Sequence, residues 1–548
     1  MPLNKVCKIC LNPFVWEDAD IKNFHKFGFE PFDICSKCMH RQRLAFRNER
    51  VFYRRKSDPD GEMVVSLYHP KSPYKVYKSD YYYSGKWDAI SYGRGFDFNR
   101  PFFEQFYELK LGVPRLAIHN MNAFNSEYCN MSYGNKNSYM IFGGDFNEDS
   151  MYGILCDKNK SCLDLDFSYR NELVYFCSDV VDSYGCQFLW NSNNCSQCYF
   201  SEDLIGCTEC ISCSNLRNQS FCIENKKYEK NEYFRKKAQM FTGRHSDFDL
   251  MFRRFLEMRG SRIVKYAHNV GCENCVGDYI KNSKNCTKCF DVTDSEDLRD
   301  VIYASKAKDC FQCDLIGMGG ELGFNSISFF NSRDILFSTV YSVNSYGFKY
   351  CETCINSHDL FGCVALGHKE YCILNKQYNE NEYKEMAGRI IEHMKKTGEW
   401  GQFFPPKVSC FGYNETTANL YFPLVKEEAL ALGFNWADEV EHQYVPQNYD
   451  VPDDIRDVKD DILDAVLGCK GCGGNFKILK QELDFYRRNL IPIPTTCVNC
   501  RMKRRSEMRN PREIWKRNCM KCGEAVLSSY DLSRKETVYC EKCYLRNL

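Results

Sequence analysis

The chain has 548 residues, 44% of them hydrophobic and 15% aromatic, and its 73 lysines and arginines balance 73 aspartates and glutamates. This length exceeds one ordinary hydrophobic core, so several domains are expected, and the balanced charge indicates no particular partner. The start of the chain has no apolar leader, and no apolar run reaches about 18 residues, so we expect a cytoplasmic protein with no membrane span.

Cysteine is the outlier in this composition, with 34 residues, many of them in Cys-x-x-Cys pairs. Thiols stay reduced in the cytosol, so metal binding is a better explanation for these pairs than disulfide bonds. An exported protein held together by disulfides is the alternative that we favour less.

The first element, residues 1–50, has the pattern C-x2-C-x24-C-x2-C, formed by Cys7, Cys10, Cys35 and Cys38. Two Cys-x-x-Cys knuckles give a tetrahedral shell of four sulfurs around one zinc ion. Because cysteine fills all four positions, the site is predicted to be structural and not catalytic.

Residues 51–118 form an aromatic-rich segment that we predict to be α+β. The Asp60-Gly61 dipeptide between VFYRR and MVVSLY predicts a β-hairpin, and FFEQFYEL predicts a short helix. The aromatic side chains are expected to form a core, although a stacking surface for nucleic-acid bases is the alternative.

The middle of the chain is duplicated, in copies at residues 119–260 and 261–400. The clearest match is FCIENKKYEKNEYFRKKA, which begins at Phe221 and returns as YCILNKQYNENEYKEMAG from Tyr371. Each copy is predicted to end in a helix, near residues 229–258 and 380–397. In the second copy, Asn379 and Glu382 are predicted to form a capping box.

Within each copy, cysteines recur at regular spacings. The spacing from Cys162 to Cys186 returns between Cys286 and Cys310, and a slightly shorter one separates Cys186 from Cys207. The segments between these cysteines are short and rich in Asn, Ser, Asp, Gly and aromatic residues, which predicts short strands.

A repeat of roughly 20–25 residues with short strands favours a β-solenoid. The predicted fold class is therefore mainly β with α additions, with a central duplicated region resembling a right-handed β-helix, flanked by zinc ribbons. An irregular α+β domain is the alternative.

The central cysteines are expected to be buried core thiols, because the two copies exchange them for apolar residues. Cys313 aligns with Leu165, and Cys186 aligns with Phe348; a metal ligand does not tolerate such exchange. Metal binding remains open for three central groups: Cys272 with Cys275, Cys286 and Cys289; Cys195 with Cys198 and Cys207; Cys351 with Cys354 and Cys363.

A connector at residues 401–466 precedes two more ribbons, at 467–517 and 518–548. Its segment 426–432 is predicted to be a helix closed by Gly433, and the acidic stretch 447–466 is predicted to be a linker leading into a short amphipathic helix. The ribbon ligands would be Cys469, Cys472, Cys497, Cys500, Cys519, Cys522, Cys540 and Cys543. With the N-terminal ribbon, this predicts about three zinc ions per chain.

The segment CKGCGGNFKILKQELDFYRRNLIPIPTTCVNCRMKRR resembles a family of probable zinc-ribbon domains with two Cys-x-x-Cys motifs. The features of that family fall on Phe476, Glu482, Phe485, Tyr486, Pro494 and Arg501. The N-terminal ribbon departs from it, with Met39 in place of the arginine. The whole chain resembles long cysteine-rich zinc-ribbon proteins of uncultured bacteria, through RNERVFYRR, FNRPFFEQF and YNETTANLYFPL. The resemblance implies zinc and no particular activity.

A basic segment follows the second knuckle of the first two ribbons, which match each other at an offset of 462 residues. Arginine forks suit phosphate, so these tails are candidates for nucleic-acid binding. The candidate residues are Arg41, Arg43, Arg47, Arg50, Lys503, Arg504, Arg505, Arg509 and Arg512. A solvated basic face, or pairing of the second tail with the acidic stretch 447–466, is the alternative.

The favoured hypothesis is a non-enzymatic zinc scaffold that binds nucleic acid or a ribonucleoprotein through these tails. The first alternative is a scaffold that binds a protein partner or another copy of itself. The second is an enzyme acting on one face of the solenoid, for which clustered carboxylates are available at Asp164, Asp166, Asp179, Asp182, Glu202 and Asp203. The sequence indicates no small-molecule substrate and no catalytic residue.

Overall fold

The computed structural model describes residues 1–438 and 444–548. The chain divides into two compact units, each built from two separate stretches of sequence. The first unit combines Met1–Ile118 with His268–Glu439, and the second combines His119–Ala267 with Val440–Leu548. Each unit contains one large, mostly parallel sheet together with cysteine-rich ribbons and helices, so the architecture is mixed α/β.

The large sheet of the second unit contains the first copy of the duplicated middle. Leu163 pairs with Tyr175 and Tyr175 pairs with Gln187, so neighbouring parallel strands are offset by 12 residues. The last strand pairs antiparallel. The strands are Tyr139–Phe142, Met151–Ile154, Leu163–Asp166, Tyr175–Val181, Gln187–Asn193, Ser196–Ile205, Thr208–Ile211, Ser214–Arg217, Ser220–Ile223 and Lys226–Lys227.

The large sheet of the first unit contains the second copy and is less regular. Its offset is 11 residues where Val276 pairs with Thr287, and 13 where Phe311 pairs with Phe324. The strands are Val276–Lys281, Thr287–Thr293, Arg299–Ser305, Phe311–Gly317, Glu321–Phe330, Arg333–Leu336, Ser342–Val343, Tyr346–Lys349, His358–Phe361, Glu370–Ile373 and Lys376–Gln377.

The predicted repeat length was wrong, because the pairing offset of 12 residues is only about half of it. A shorter rhythm lies within each period. From Met131 to Glu224 every third residue has a positive φ, a conformation that Asn, Asp and Gly accept most readily. The core cysteines follow the same three-residue spacing, because Cys177, Cys186 and Cys195 are separated by multiples of three positions. The cysteine spacings seen in the sequence are therefore whole numbers of these three-residue steps.

Short hairpins and helices form the segments outside the two large sheets. The remaining strands are Leu3–Val6, Pro13–Trp16, Tyr53–Lys56, Met63–Ser66, Val76–Tyr77, Arg115–Leu116, Asn120–Met121, Ser132–Tyr133, Ile263–Lys265, Leu467–Gly468, Asn475–Phe476, Trp515–Asn518, Ala525–Ser528 and Thr537–Tyr539. The helices are Asp18–Lys26, Ser36–Leu44, Ser79–Tyr82, Phe102–Gly112, Lys230–Met240, His245–Ser261, Glu380–Thr397, Thr417–Tyr421, Lys426–Ala431, Lys480–Arg488, Val498–Glu507 and Glu541–Leu545.

Most local predictions are confirmed. The hairpin around Asp60-Gly61 and the helix Phe102–Gly112 are present. The helix Glu380–Thr397 begins with the expected capping box of Asn379 and Glu382. One helix was expected near residues 229–258, but the chain forms two there, Lys230–Met240 and His245–Ser261.

The prediction of an acidic amphipathic helix within 447–466 was wrong. The chain forms two 3-10 turns there, Ile455–Asp457 and Asp460–Leu463. Asp460 accepts a hydrogen bond of 2.5 Å from Arg487, which lies on a ribbon helix and not on the basic tail. The acidic stretch thus has an irregular conformation, and the ion pair between Asp460 and Arg487 holds it within its own unit.

Candidate metal centres and arginine docking sites

Three groups of four cysteines have thiol sulfurs that all lie within 4.8 Å of one another. These are the three groups that the sequence predicts. In each, a hairpin supplies the first Cys-x-x-Cys pair, and the second pair lies at the start of a helix whose N-cap is Cys35, Cys497 or Cys540. Each group can therefore hold a metal ion.

The distances between sulfurs suit a single ion. The Sγ atoms of Cys10 and Cys35 are 3.8 Å apart, and those of Cys469 and Cys500 are 3.7 Å apart. In the third group the Cys522 and Cys540 sulfurs are also 3.7 Å apart. A tetrahedron with metal–sulfur bonds of about 2.3 Å has edges of about 3.8 Å, so the donor geometry fits a tetrahedral thiophilic ion.

Backbone amides stabilise negative charge on these sulfurs. Cys497 donates its N–H to Cys469 Sγ at 3.2 Å, and Gly471 donates to the same sulfur at 3.3 Å. Burial acts to raise the pKa of Cys469, but these backbone donors outweigh it and lower the pKa to about 6. The same balance lowers the pKa of Cys519 to about 6. Each of these thiols is readily ionised for metal binding near neutral pH.

Most central cysteines lie in the hydrophobic core, although Cys272 and Cys275 are only partly buried. Nine of them form one cluster in the second unit with Leu165, Val174 and Leu189, and burial raises the pKa of Cys162 to about 12. Its sulfur lies 3.2 Å from the Lys160 carbonyl oxygen, as expected for a neutral thiol donor. Within the described residues, the groups of three or more potential ligands close enough for one ion are the three ribbon groups alone, so the open central groups gain no support.

The basic tail of the second ribbon lies against the sheet of its own unit. Arg505 is fully buried and donates hydrogen bonds to Asp164 Oδ1 at 2.6 Å and Asp166 Oδ1 at 3.2 Å. Arg509 binds both carboxylate oxygens of Asp179 at 2.9 Å. Arg501 adds a bond from Nε to Asp164 Oδ2 at 2.8 Å. Four ion pairs thus dock the ribbon helix and its C-terminal end on two neighbouring strands.

The tail of the first ribbon makes the equivalent contacts in the first unit. Arg43, which is 1% exposed, donates to Asp314 Oδ2 at 2.6 Å and to Gln312 Oε1 at 3.4 Å. Arg47 donates to Ser328 Oγ at 2.6 Å. The two docking sites are therefore copies of one arrangement.

The equivalence holds on both sides of the contact. The arginines are related by the ribbon offset of 462 residues, and Gln312 and Asp314 follow Asp164 and Asp166 by 148 residues, the offset at which Cys310 aligns with Cys162. Corresponding ribbon arginines therefore dock on corresponding positions of the two sheets.

The remaining predicted nucleic-acid residues are more accessible. Arg41 donates to Cys38 Sγ at 3.8 Å, and Arg50 is partly buried. Lys503 and Arg504 are exposed, although the Arg504 guanidinium lies 4.0 Å from the centre of the Phe252 ring. Arg512 is partly buried. Arg43, Arg47 and Arg505, by contrast, are buried in protein contacts, so the expectation that they face a phosphate backbone was wrong for these three.

The carboxylates considered for catalysis are held in ion pairs. Asp164, Asp166 and Asp179 bind the ribbon arginines, as described above. Asp182 pairs with Arg170 at 2.6 Å. Glu202 pairs with Arg262 at 2.6 Å, and Asp203 pairs with Arg217 at 2.8 Å. All six therefore have structural partners.

A ladder of buried asparagines in the second unit was not predicted from the sequence. Asn147, Asn159 and Asn171 each donate from Nδ2 to the Oδ1 of the asparagine 12 residues earlier, at 3.0–3.1 Å. The signal was an Asn-x-x-Ser or Asn-x-x-Cys motif recurring every 12 residues, for example at Asn135 and Asn147. It would have revealed the true period.

Comparison with known proteins adds little. No family model matches the chain, and the search of curated proteins gave no significant match. Among solved structures, a putative acetyltransferase from Desulfovibrio desulfuricans G20 is 9% identical, with a TM-score of 0.10, over 48% of this chain and 69% of that one. This likeness carries no argument about fold or activity. Within the described parts of the chain, no helix has the length and apolar character needed to cross a bilayer.

Proposed function

We propose that the protein is a non-enzymatic scaffold in which three zinc-bound ribbons clamp two β-solenoid halves. The observation that carries this proposal is the coupling of each docked ribbon to a large sheet: the helix that starts at Cys35 or Cys497 also carries Arg43 or Arg505. A metal ion that fixes the start of the helix therefore also fixes the arginine that docks it.

The S4 donor set favours zinc as the resident ion, because zinc prefers closed tetrahedral thiolate shells in structural sites. Such a site leaves no open coordination position for a substrate, and its free energy of binding stabilises the fold directly. The proposed role of the metal is thus mechanical.

A pairing register of 12 residues in the second unit, and of 11 to 13 residues in the first, supports a β-solenoid for each sheet, in which one such period forms one coil. Four left-handed residues per period would turn the chain four times per coil. Like residues would then stack in columns, which agrees with the asparagine ladder and the core thiols. Such a solenoid offers a long, regular surface to a protein partner.

Binding to nucleic acid remains a prediction without support from the buried arginines. A protein partner or a second copy of the chain is the class of partner that we propose, and a cytoplasmic location stays a prediction. A pull-down with nuclease treatment distinguishes the two partner classes, because a partner held through nucleic acid is lost on treatment.

The direct test is the zinc content of the purified protein, measured by elemental analysis. We expect about three zinc ions per chain, one for each cysteine group, and one fewer in Cys472→Ser. The matched control is Cys186→Ser, a core thiol whose loss should leave the zinc content unchanged. A wild-type protein that binds no zinc, or equal zinc loss in both variants, would refute the proposal.

A further inference from the structure

The third ribbon has a counterpart in the first unit that carries no cysteine. Shifting residues 53–82 by 462 places them on residues 515–544, and nine positions are identical. The identical residues, by their first-unit numbers, are Arg55, Gly61, Glu62, Val64, Ser66, Tyr68, Val76, Tyr77 and Tyr82. The offset is the one that relates the first two ribbons, so the duplication extends beyond them.

The backbone of the two segments is the same in detail. Tyr53–Lys56 pairs with Met63–Ser66 in the register that Trp515–Asn518 makes with Ala525–Ser528. The turn glycine has a φ of +74° at Gly61 and is also left-handed in the third ribbon.

Hydrogen bonds that define a zinc knuckle are also shared. Ser57 donates its N–H to the Glu62 carbonyl at 2.8 Å, as Cys519 does to Glu524 at 2.8 Å. Asp58 donates to Val76 at 2.9 Å, and the third ribbon repeats this bond at the same length between its residues 520 and 538. The first-unit segment is therefore a ribbon in backbone geometry.

The four metal-ligand positions are occupied by Ser57, Asp60, Lys78 and Tyr81. Lys78 donates its N–H to Ser57 Oγ at 3.3 Å, the bond that Cys497 makes to Cys469 Sγ in the second ribbon. Serine thus accepts the knuckle hydrogen bond in place of a thiolate.

Lys78 supplies a positive charge at the position where a ribbon binds its metal ion. Lys78 Nζ lies 3.2 Å from Asp60 Oδ2 and 2.6 Å from Glu62 Oε2, and its side chain is only 25% exposed. The hydrogen bond to Glu62, together with that to Asp60, raises the pKa of Lys78 and keeps it cationic. The Lys78 ammonium therefore links the second knuckle to the first, as a zinc ion links the two knuckles of a ribbon.

We infer that residues 53–82 are a fourth ribbon in which the Lys78 ammonium has replaced the metal ion, and that the segment retains a latent tetrahedral metal site. This inference rests on the proposed zinc content of the three cysteine ribbons. It implies that the first unit holds one metal ion and the second holds two. Chelation should therefore destabilise the third ribbon of the second unit, but not residues 53–82 of the first unit.

The test installs the four ligands together, as Ser57→Cys, Asp60→Cys, Lys78→Cys and Tyr81→Cys in the full chain. Zinc content should rise by one ion per chain over wild type, measured side by side. Cobalt substitution should add one equivalent of sulfur-to-cobalt charge-transfer absorbance. A folded variant with unchanged metal content would overturn the inference, whereas a metal-free wild type would overturn only the proposed function.

The reciprocal variant keeps the inference testable if the first does not fold. Cys519→Ser, Cys522→Asp, Cys540→Lys and Cys543→Tyr should remove one zinc ion and still keep the hairpin from residue 515 to 528 protected from hydrogen exchange. Loss of that protection would show that lysine does not replace the metal, and would also overturn the inference.

Discussion

Replacing Arg505 with alanine tests whether the ribbon arginines dock the ribbons. Both Arg505 and Asp164 are fully buried, and Asp166 is 2% exposed. In this variant Asp164 keeps its ion pair with Arg501 at 2.8 Å, whereas Asp166 loses the Arg505 guanidinium. Breaking a buried ion pair by removing one partner costs about 3–5 kcal/mol. For a unit of this size, that corresponds to a fall of roughly 6–20 °C in melting temperature.

The matched control is Lys503→Ala, on the same helix. The Lys503 side chain is 72% exposed, and its ion pair with Glu507 at 3.7 Å is weak, so we expect a change within about 0.5 kcal/mol. Urea denaturation followed by circular dichroism measures the difference in the free energy of unfolding.

Hydrogen exchange locates the effect. In Arg505→Ala, exchange should accelerate most in the strand Leu163–Asp166, and in Arg43→Ala it should accelerate most in Phe311–Gly317, because these strands carry the respective partners. If Arg505→Ala and Lys503→Ala have equal stability, the tails do not dock the ribbons. The arginines would then be better explained as solvent-facing residues.

Three further predictions concern the sheets. In Gly277→Ala, the added Cβ would lie 1.8 Å from the Cys289 carbonyl oxygen, so thermal unfolding should show severe destabilisation. The control Gly388→Ala, in an open helical position, should instead stabilise the protein by about 0.5–1 kcal/mol. Equal effects of the two substitutions would contradict the strand pairing. Burial raises the pKa of Asp145 to about 7, so its contribution to stability is greatest below the unfolded pKa near 4 and is lost as the pH rises towards 7. In Asp145→Asn, denaturation curves should no longer show this loss of stability with rising pH. A variant with the same pH profile as wild type would contradict this role of Asp145. Cys186→Ala should lower stability through the cavity left in the core without changing metal content, and a loss of metal would contradict the assignment of this thiol to the core.

The ribbons were predictable because their chemistry is local. Two cysteines separated by two residues define a knuckle wherever they occur, and the capping box of Asn379 and Glu382 is equally local. The period of the sheets was harder to find, because cysteine is only one of several side chains that fit the inward positions. Its spacings were therefore multiples of the three-residue step, and those from Cys186 to Cys207 and similar pairs were not multiples of the full pairing period.

The destination of the arginines could not be predicted from the tails themselves. Arg43 meets a partner 271 residues away, and Arg505 meets one 341 residues away. A basic run has the same composition whether it faces solvent, a phosphate or a buried carboxylate. The structure shows that arginines related by 462 residues bind acceptor positions related by 148 residues, and neither offset by itself indicates the other.

The division of each unit into two separate stretches has a consequence for synthesis. The N-terminal ribbon leaves the ribosome long before the strand that its arginine binds, and the first copy of the middle emerges well before the ribbon that docks on it. Neither unit can complete its fold while its second stretch is still being translated. The sheet of the second unit must therefore remain soluble until its ribbon has been made, so chaperone dependence and sensitivity to C-terminal truncation should be features of this chain.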